Sequence, residues 1–191
     1  MSDQIYYHKA LVCKNGHLIS GNESRISDQS IQYCPQCGQS CIDACPTCGA
    51  PIHGDTYGKR SVYALCRTGD IWDDSGISYR NVPTECEDYE IGRCDVPAYC
   101  HACGSPYPWT ETLLDEASKI VDLIDELTAE QKEELKQCFP DLIAETPRSS
   151  RSSLVAAKLI RLSSSLAQGA LQNLFIDHLT PFVLSLLNWK S

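Results

Sequence analysis

The chain has 191 residues, a net charge of −9 and twelve cysteines, which allows one ordinary domain or two small ones. Residues 1–110 carry eight Lys and Arg against thirteen Asp and Glu. A general nucleic-acid binder needs a basic face to neutralise phosphates, so this balance argues against that class.

The composition divides the chain into two halves. About the first hundred residues are rich in Gly, Pro, Cys and Tyr, and about the last eighty are rich in Leu, Ala and Ser. The start, Met1–Tyr7, is polar and mixed, without the pattern of a secretion signal. We therefore expect a reducing cytoplasm, in which closely spaced cysteines bind metal rather than form disulfides.

The first predicted metal site begins at Cys13-Lys-Asn-Gly-His17, which follows a predicted strand over 5–12 and precedes a short return strand over 18–20. A third predicted strand, over 31–33, leads into Cys34-Pro-Gln-Cys37-Gly. In such a knuckle Pro sets φ at the start of the turn and Gly allows a positive φ at its exit. An isolated His17 would be a solvated turn residue, but its position four residues after a Cys favours a ligand. The spacing predicts a zinc ribbon with four ligands: Cys13, His17, Cys34 and Cys37.

A second site follows from the knuckle Cys45-Pro-Thr-Cys48-Gly, which needs another pair to complete a tetrahedron. The matching sequence is Cys100-His-Ala-Cys103-Gly, so the predicted second ligand set is Cys45, Cys48, Cys100 and Cys103. His101 lies inside its turn and is left out of the set. Cys41 does not have knuckle spacing to its neighbours, and we interpret it as a structural thiol.

Between these two pairs lies an inserted excursion, at about 55–95, flanked by predicted strands over 51–54 and 96–99. It contains a strand-like run over 62–65, a turn over 70–76 and an acidic run over 85–90. Cys66, Cys86 and Cys94, with His53, would form a third zinc site, but none of their spacings is typical of one. The aromatic residues favour equally a recognition loop and a small satellite core.

From residue 106 the pattern becomes helical. Thr110 is a predicted N-cap, with a helix over about 111–127, and Thr128 with Gln131 forms a capping box for a second helix over 129–138. Cys138, at the end of the second helix, is expected to be a small residue of the apolar core. A last helix is predicted over 152–187, kinked near Pro181. Residues 171–189 are too interrupted by polar residues and Pro181 for a membrane span.

Charge is separated within this half. Residues 111–145 hold eleven acids and three bases, whereas residues 146–176 hold four bases (Arg148, Arg151, Lys158 and Arg161) and no acid. The simpler explanation is that the acidic helices and the basic helix lie side by side, with complementary charge fixing their orientation. The alternative is that the basic helix meets an anionic membrane or a partner. Any surplus apolar surface near Phe182–Trp189 is expected to be buried in a dimer.

Three runs resemble one bacterial family: Ala10-Leu-Val-Cys-Lys-Asn-Gly-His17, the knuckle from Cys45 to Gly54, and the long run from Val96 to Glu111. The chain is similar in these runs to the family called domain of unknown function 2321. The resemblance implies a bacterial cytoplasmic protein with two zinc-ribbon-like units, and it implies no activity. The stretch 55–95 departs from the family's pattern, being longer than its usual connection.

These observations predict an α+β protein in which small antiparallel zinc-ribbon units, 1–105, precede a helical module, 106–191. The predicted function is a non-enzymatic zinc scaffold or adaptor that binds a protein partner, or itself, through the C-terminal helices. Three alternatives remain: a nucleic-acid-binding zinc ribbon, a membrane-associating helical effector and, least favoured, a thiol or metal enzyme. The chain has no His-Glu-x-x-His, Gly-x-Ser-x-Gly or P-loop motif.

Overall fold

The computed structural model describes residues 5–26, 31–68, 78–144, 146–176, 179 and 184, and for 60–68 and 78–87 it describes the backbone. Its contacts divide the chain into two units. The first unit comprises residues 1–13 and 17–97, and the second, helical unit comprises residues 14–16 and 98–191. Small antiparallel sheets precede four helices, so the predicted α+β class is confirmed.

The first unit contains two three-stranded antiparallel sheets. Its strands are β1 Ile5–Lys9, β2 Leu11–Cys13, β3 Leu18–Ser20, β4 Cys41–Ile42, β5 His53–Thr68 and β6 Ser78–Gly92. One sheet has the order β1-β5-β6 and the other has the order β3-β2-β4. A short 3₁₀ helix, Glu23–Arg25, is capped by the Asn22 side chain, which accepts a bond from the Ser24 N–H.

Four predicted strands differ in the structure. The strand predicted over 51–54 begins only at His53, as the start of β5, and the one predicted over 96–99 is reduced to the Tyr99–Pro106 bridge. The single strand expected over 5–12 is interrupted at Ala10, which is fully buried and donates its N–H to the Ile52 carbonyl at 2.9 Å. On the two sides of this interruption the strands join different sheets: β1 pairs with β5, while β2 pairs with β3 and β4. The strand expected over 31–33 is reduced to one bridge, between Tyr33 and Ser40, since the knuckle turn brings only this pair into register.

The excursion is one long β-hairpin rather than a loop with a short strand. β5 has 16 residues and β6 has 15, and the strand predicted over 62–65 lies inside β5. The acidic run lies in β6, where the register sets Asp88 opposite Lys59. A Cβ on Gly58 would lie 2.5 Å from the Tyr89 ring, so glycine allows that ring to cross the hairpin. The turn predicted over 70–76 lies outside the described residues.

The helical unit has α1 Pro108–Asp122, α2 Ala129–Ile143, α3 Ser149–Ile160 and α4 Ser165–Phe175. α1 begins earlier than predicted, because Pro108 occupies its first turn, and it ends at Asp122 rather than near 127. Thr110 is buried rather than an N-cap, and its hydroxyl donates to the Ala98 carbonyl at 2.8 Å. The Thr128 capping box is confirmed, with both reciprocal bonds present. α2 continues past Cys138 and through Pro140.

The last helix, predicted as one helix over 152–187, is two helices. The Ser163 hydroxyl donates to the Ile160 carbonyl at 2.6 Å, and the Ser164 hydroxyl accepts from the Ala167 N–H as the N-cap of α4. Serines that bond to the backbone favour helix ends over helix interiors, which explains the break. The kink at Pro181 and the tail 182–189, apart from the buried Leu184, lie outside the described residues.

One apolar core holds the four helices together. Its buried members, Cys138 among them, are Leu113, Ala117, Val121, Ile124, Leu127, Leu135, Cys138, Phe139, Leu142, Ala156, Ala157, Leu159, Ile160, Leu171, Phe175, Leu179 and Leu184. α3 packs on α2, as the first explanation of the charge separation requires. Within the described ranges, however, no ion pair includes any of the four bases of 146–176, so the packing is apolar rather than ionic. No helix among these residues is long and apolar enough to cross a membrane.

Candidate metal centres

The three Cys-x-x-Cys sequences fold into the same small hairpin. In each, the N–H of the first Cys donates to the carbonyl five residues later, and the Gly after the second Cys donates back to the first Cys carbonyl, all at 2.7–2.9 Å. A single bridge then closes each hairpin: Tyr33 with Ser40, Ala44 with Pro51, and Tyr99 with Pro106. The local sequence therefore determines the turn, and the turn presents both thiols on one side.

The glycines have the conformation that the knuckle requires. Gly38, Gly49 and Gly104 have φ values of 72°, 75° and 73°, in the left-handed region that residues with a Cβ rarely adopt. The first Cys of each pair is buried and the second is exposed. Each hairpin thus holds one thiol inside the fold and one at the surface.

The repeat also explains Cys41. Seven residues after the first Cys of each knuckle, a backbone N–H donates back across the hairpin, and these residues are Cys41, Ile52 and Tyr107. Ile52 and Tyr107 are fully buried and Cys41 is half-buried, so this is an inward, mainly apolar position of the knuckle. Burial raises the pKa of the Cys41 thiol, and the charges of Cys34 and Cys37 raise it further. Cys41 therefore occupies the position of a hydrophobic residue, as the structural interpretation predicts.

The first predicted set is brought together in the first unit. Cys13 lies at the end of β2, His17 follows its turn, and Cys34 and Cys37 come from the first knuckle. Their ligand atoms all lie within 4.8 Å of one another. Cys13 Sγ is 3.7 Å from Cys37 Sγ and 3.5 Å from His17 Nδ1, and Cys34 Sγ is 3.6 Å from His17 Nδ1.

These distances fit a tetrahedral zinc ion. With Zn–S near 2.3 Å and Zn–N near 2.0–2.1 Å, a tetrahedron has S···S edges of about 3.8 Å and S···N edges of about 3.5 Å. The three measured separations agree with these edges to within about 0.1 Å. The His17 ring presents Nδ1 rather than Nε2 to the thiols. Three sulfurs and one nitrogen are therefore placed as a zinc ion needs them.

The electrostatics at Cys34 favour the thiolate that a metal requires. Burial raises the pKa of the Cys34 thiol, but hydrogen bonds from the backbone at Gln36 and Cys37, and from the side chains of Cys37 and His17, lower it to about 6. The backbone N–H of His17 also donates to Cys13 Sγ at 3.3 Å. Donors aimed at sulfur stabilise the deprotonated ligand.

The turn between Cys13 and His17 contains a further glycine with a constrained conformation. Gly16 has a φ of 86°, and a Cβ there would lie 3.2 Å from the Cβ of Trp109. The Trp109 ring stacks on Tyr107 with centroids 4.7 Å apart. A side chain at position 16 would therefore strain the backbone and meet Trp109.

The second predicted set, Cys45, Cys48, Cys100 and Cys103, is also a group whose ligand atoms lie within 4.8 Å of one another. Each of its two knuckles has the hairpin described above, and the Ala102 N–H donates to Cys100 Sγ at 3.4 Å. His101 is an exposed residue of the turn and is not a member of the group. Both four-residue groups can hold a metal ion.

The backbone does not favour the third site considered for Cys66, Cys86 and Cys94. The register pairs Cys66 with Arg80 and Cys86 with Ser61, five residues apart along β5, which separates them by roughly 16 Å. Cys94 lies elsewhere, with its N–H bonded to Asp55 Oδ1 at 2.9 Å. Burial, followed by the charge of Asp55, raises the pKa of the Cys94 thiol, which is the opposite of what a metal ligand needs.

Comparison with known proteins assigns the chain to a family. It belongs to the family described as an uncharacterised protein conserved in bacteria, domain of unknown function 2321, whose model matches residues 6–68 and 85–183. The resemblance of the three runs is thereby confirmed, and the departure expected over 55–95 is limited to 69–84 in the match. No curated protein and no solved structure matches the chain.

Proposed function

We propose that this member of the family is a non-enzymatic zinc scaffold that acts through protein–protein interaction. The observation that supports it most is the Cys13, His17, Cys34 and Cys37 group, whose atoms lie at the edge lengths of a zinc tetrahedron. The second set, Cys45, Cys48, Cys100 and Cys103, would hold a second ion. The two zinc ions would then have all eight of their ligands between residues 13 and 103.

The donors favour zinc over other metals. Thiolate and imidazole donors in a tetrahedral arrangement suit zinc, whereas Mg²⁺ and Ca²⁺ prefer oxygen ligands. Four sulfurs alone would also suit iron, but the mixed set containing His17 is typical of structural zinc. Each set supplies four protein donors, and a catalytic zinc usually has only three and keeps one position for water. The donor count therefore supports a structural role.

The small apolar core of the first unit supports a structural role for metal. Apart from cysteines, its described buried hydrophobic side chains are Ala10, Val12 and Ile52. Burying a Val or Ile contributes about 1.5–3 kcal/mol, and a structural zinc contributes about 10–16 kcal/mol of apparent binding energy. Metal binding would therefore outweigh apolar packing here, whereas the helical unit has a core of its own.

Cobalt substitution tests the metal part of this proposal. Purified protein refolded with Co²⁺ should give the intense visible bands of tetrahedral cobalt and the near-ultraviolet bands of cobalt–thiolate charge transfer, both displaced by zinc. Cys37→Ser should remove the signal of one site, whereas Cys94→Ser, a matched change at a cysteine outside both groups, should keep both. Weak bands of an octahedral ion, or equal effects of the two variants, would contradict structural zinc sites.

A further inference from the structure

Two exposed patches of opposite charge, each containing leucine, lie on the helical unit. The first is on α3, where Arg151, Leu154 and Lys158 are exposed, and it continues through Arg161 at the C-cap to Leu162. At 3.6 residues per turn, positions 151, 154, 158 and 161 fall within an arc of roughly 80°. These five residues are called the basic leucine face below.

The basic leucine face is not part of the core. Leu154 is 60% exposed and Leu162 is 50% exposed, while the opposite side of α3 is buried through residues such as Ala156 and Ile160. Residues 146–176 contain no Asp or Glu, so nothing within this segment neutralises the face. A face that combines exposed apolar side chains with unneutralised basic ones has the chemistry to bind an anionic partner.

The second patch lies where α1 turns into α2. Leu123, which follows α1, is 81% exposed, and Asp125, Glu126 and Glu130 are exposed around it. These four residues are called the acidic corner below. Like the basic leucine face it has three charged residues, here acidic, and it has one exposed leucine where that face has two.

The three bases of 111–145 already have other partners. Lys119 pairs with Asp115 at 2.7 Å, Lys136 pairs with Asp122 at 2.7 Å, and the Lys132 ammonium donates to the Asp122 carbonyl at 2.9 Å. In the part of the chain that the structure describes, no ion pair joins the acidic corner to the basic leucine face. Each patch therefore presents its charges to solvent.

We propose that the basic leucine face binds the acidic corner of a second copy of this chain. A single occupant then accounts for both patches, because each copy supplies leucines and a charge that the other copy complements. Reciprocal pairing gives a closed dimer with the same two contacts made twice. A lipid surface would account for the basic leucine face alone and would leave Leu123 exposed. The proposal rests on the proposed function, in which the helical unit supplies the interaction surface.

Two charge-reversal variants of the full zinc-loaded chain test this dimer. In Arg151→Glu/Lys158→Glu the basic leucine face becomes acidic, and in Asp125→Lys/Glu126→Lys the acidic corner becomes basic. Sedimentation equilibrium of the wild type should show a monomer–dimer equilibrium that weakens as salt is raised, because exposed charges are screened. Each variant alone should raise the dimer Kd by roughly tenfold or more, since like charges then meet.

An equimolar mixture of the two variants is the decisive sample. Each altered patch now complements the other variant's altered patch, so the mixture should dimerise more tightly than either variant does alone. Arg93→Glu, an exposed charge reversal in the first unit, should dimerise like the wild type. Zinc content and far-ultraviolet circular dichroism of the same samples should be unchanged, which separates a failure of this proposal from a failure of the zinc scaffold.

Three results would overturn the proposal. The first is a wild type that stays monomeric at every concentration and salt. The second is a mixture that stays monomeric although both variants are folded and carry zinc. The third is wild-type binding to vesicles of anionic phospholipid, but not to neutral ones, that Arg151→Glu/Lys158→Glu abolishes, because that result assigns the basic leucine face to lipid.

Discussion

Removing one ligand of the first metal set should unfold part of the chain and leave the helices in place. Cys34 is buried, and its thiol has the lowered pKa that metal binding needs. Cys34→Ser replaces a strong thiolate donor by a hydroxyl in a unit whose apolar packing is small. Val12 and Ile52 together contribute about 3–6 kcal/mol, less than the roughly 10–16 kcal/mol that a structural zinc contributes. We therefore expect β2, β3 and the first knuckle to lose their fold.

Hydrogen exchange read by mass spectrometry measures this effect segment by segment. In Cys34→Ser, amides over 11–20 and 34–42 should exchange at the rates of an unfolded chain. Amides over 113–121 and 131–142, within α1 and α2, should keep their protection because leucine packing holds them. Addition of a chelator to the wild type should reproduce the same pattern and extend it to the two knuckles of the second set, 45–52 and 100–107.

The reciprocal variant is Leu135→Ala, at a fully buried position of the helical core. It should cost the helical unit about 2–5 kcal/mol, from lost transfer energy and the cavity left behind, without reducing zinc content. The reasoning fails if Cys34→Ser or chelation removes the protection of α1 and α2 in step with 11–20. In that case the helices would depend on metal, and the interpretation of two separately stabilised units would be wrong.

Three further outcomes follow from single positions. Cys41→Val should keep two zinc ions and normal stability, because Cys41 lies at the inward, mainly apolar position of its knuckle, and loss of one ion would make it a ligand. Gly16→Ala should lower the thermal unfolding temperature more than Gly49→Ala does. Both changes strain a backbone with positive φ, by about 1–2 kcal/mol, but only Gly16→Ala adds a close contact, with Trp109. Equal effects of the two changes would contradict that contact. Burial raises the pKa of the Cys138 thiol above its ordinary 9.0, so the folded state favours the neutral thiol. The free energy of unfolding therefore has its full contribution from this thiol below pH 9 and loses that contribution as the pH rises further. Denaturant titrations should show that loss in the wild type and not in Cys138→Ala, and parallel pH profiles would refute it.

The parts of the structure that sequence predicts are those determined by local chemistry. Pro and Gly at fixed offsets from paired cysteines specify the knuckle turns, and Thr128 with Gln131 specifies the start of α2. Grouping Cys100 with the Cys45 knuckle was possible because the turns repeat the same sequence. The inward, mainly apolar position of each knuckle was also present in the repeat, and it would have identified the role of Cys41.

The parts that sequence did not predict depend on distant pairing or on competing caps. The β5–β6 hairpin has a register set between strands, and its acidic and aromatic residues are equally typical of a loop. Ala10 separates β1 from β2, and its N–H bonds to the carbonyl of the distant Ile52. The break after α3 depends on Ser163 and Ser164 bonding to the backbone, where the apolar periodicity alone predicts one continuous helix.

Native mass spectrometry of protein purified from a host grown without added metal tests the central claim most directly. The account predicts two zinc ions per chain, one on the set containing His17 and one on the four-cysteine set. Cys37→Ser should carry one ion, and Cys94→Ser should carry two. A wild-type chain that carries one ion or none, or an iron–sulfur cluster in place of zinc, would contradict the account.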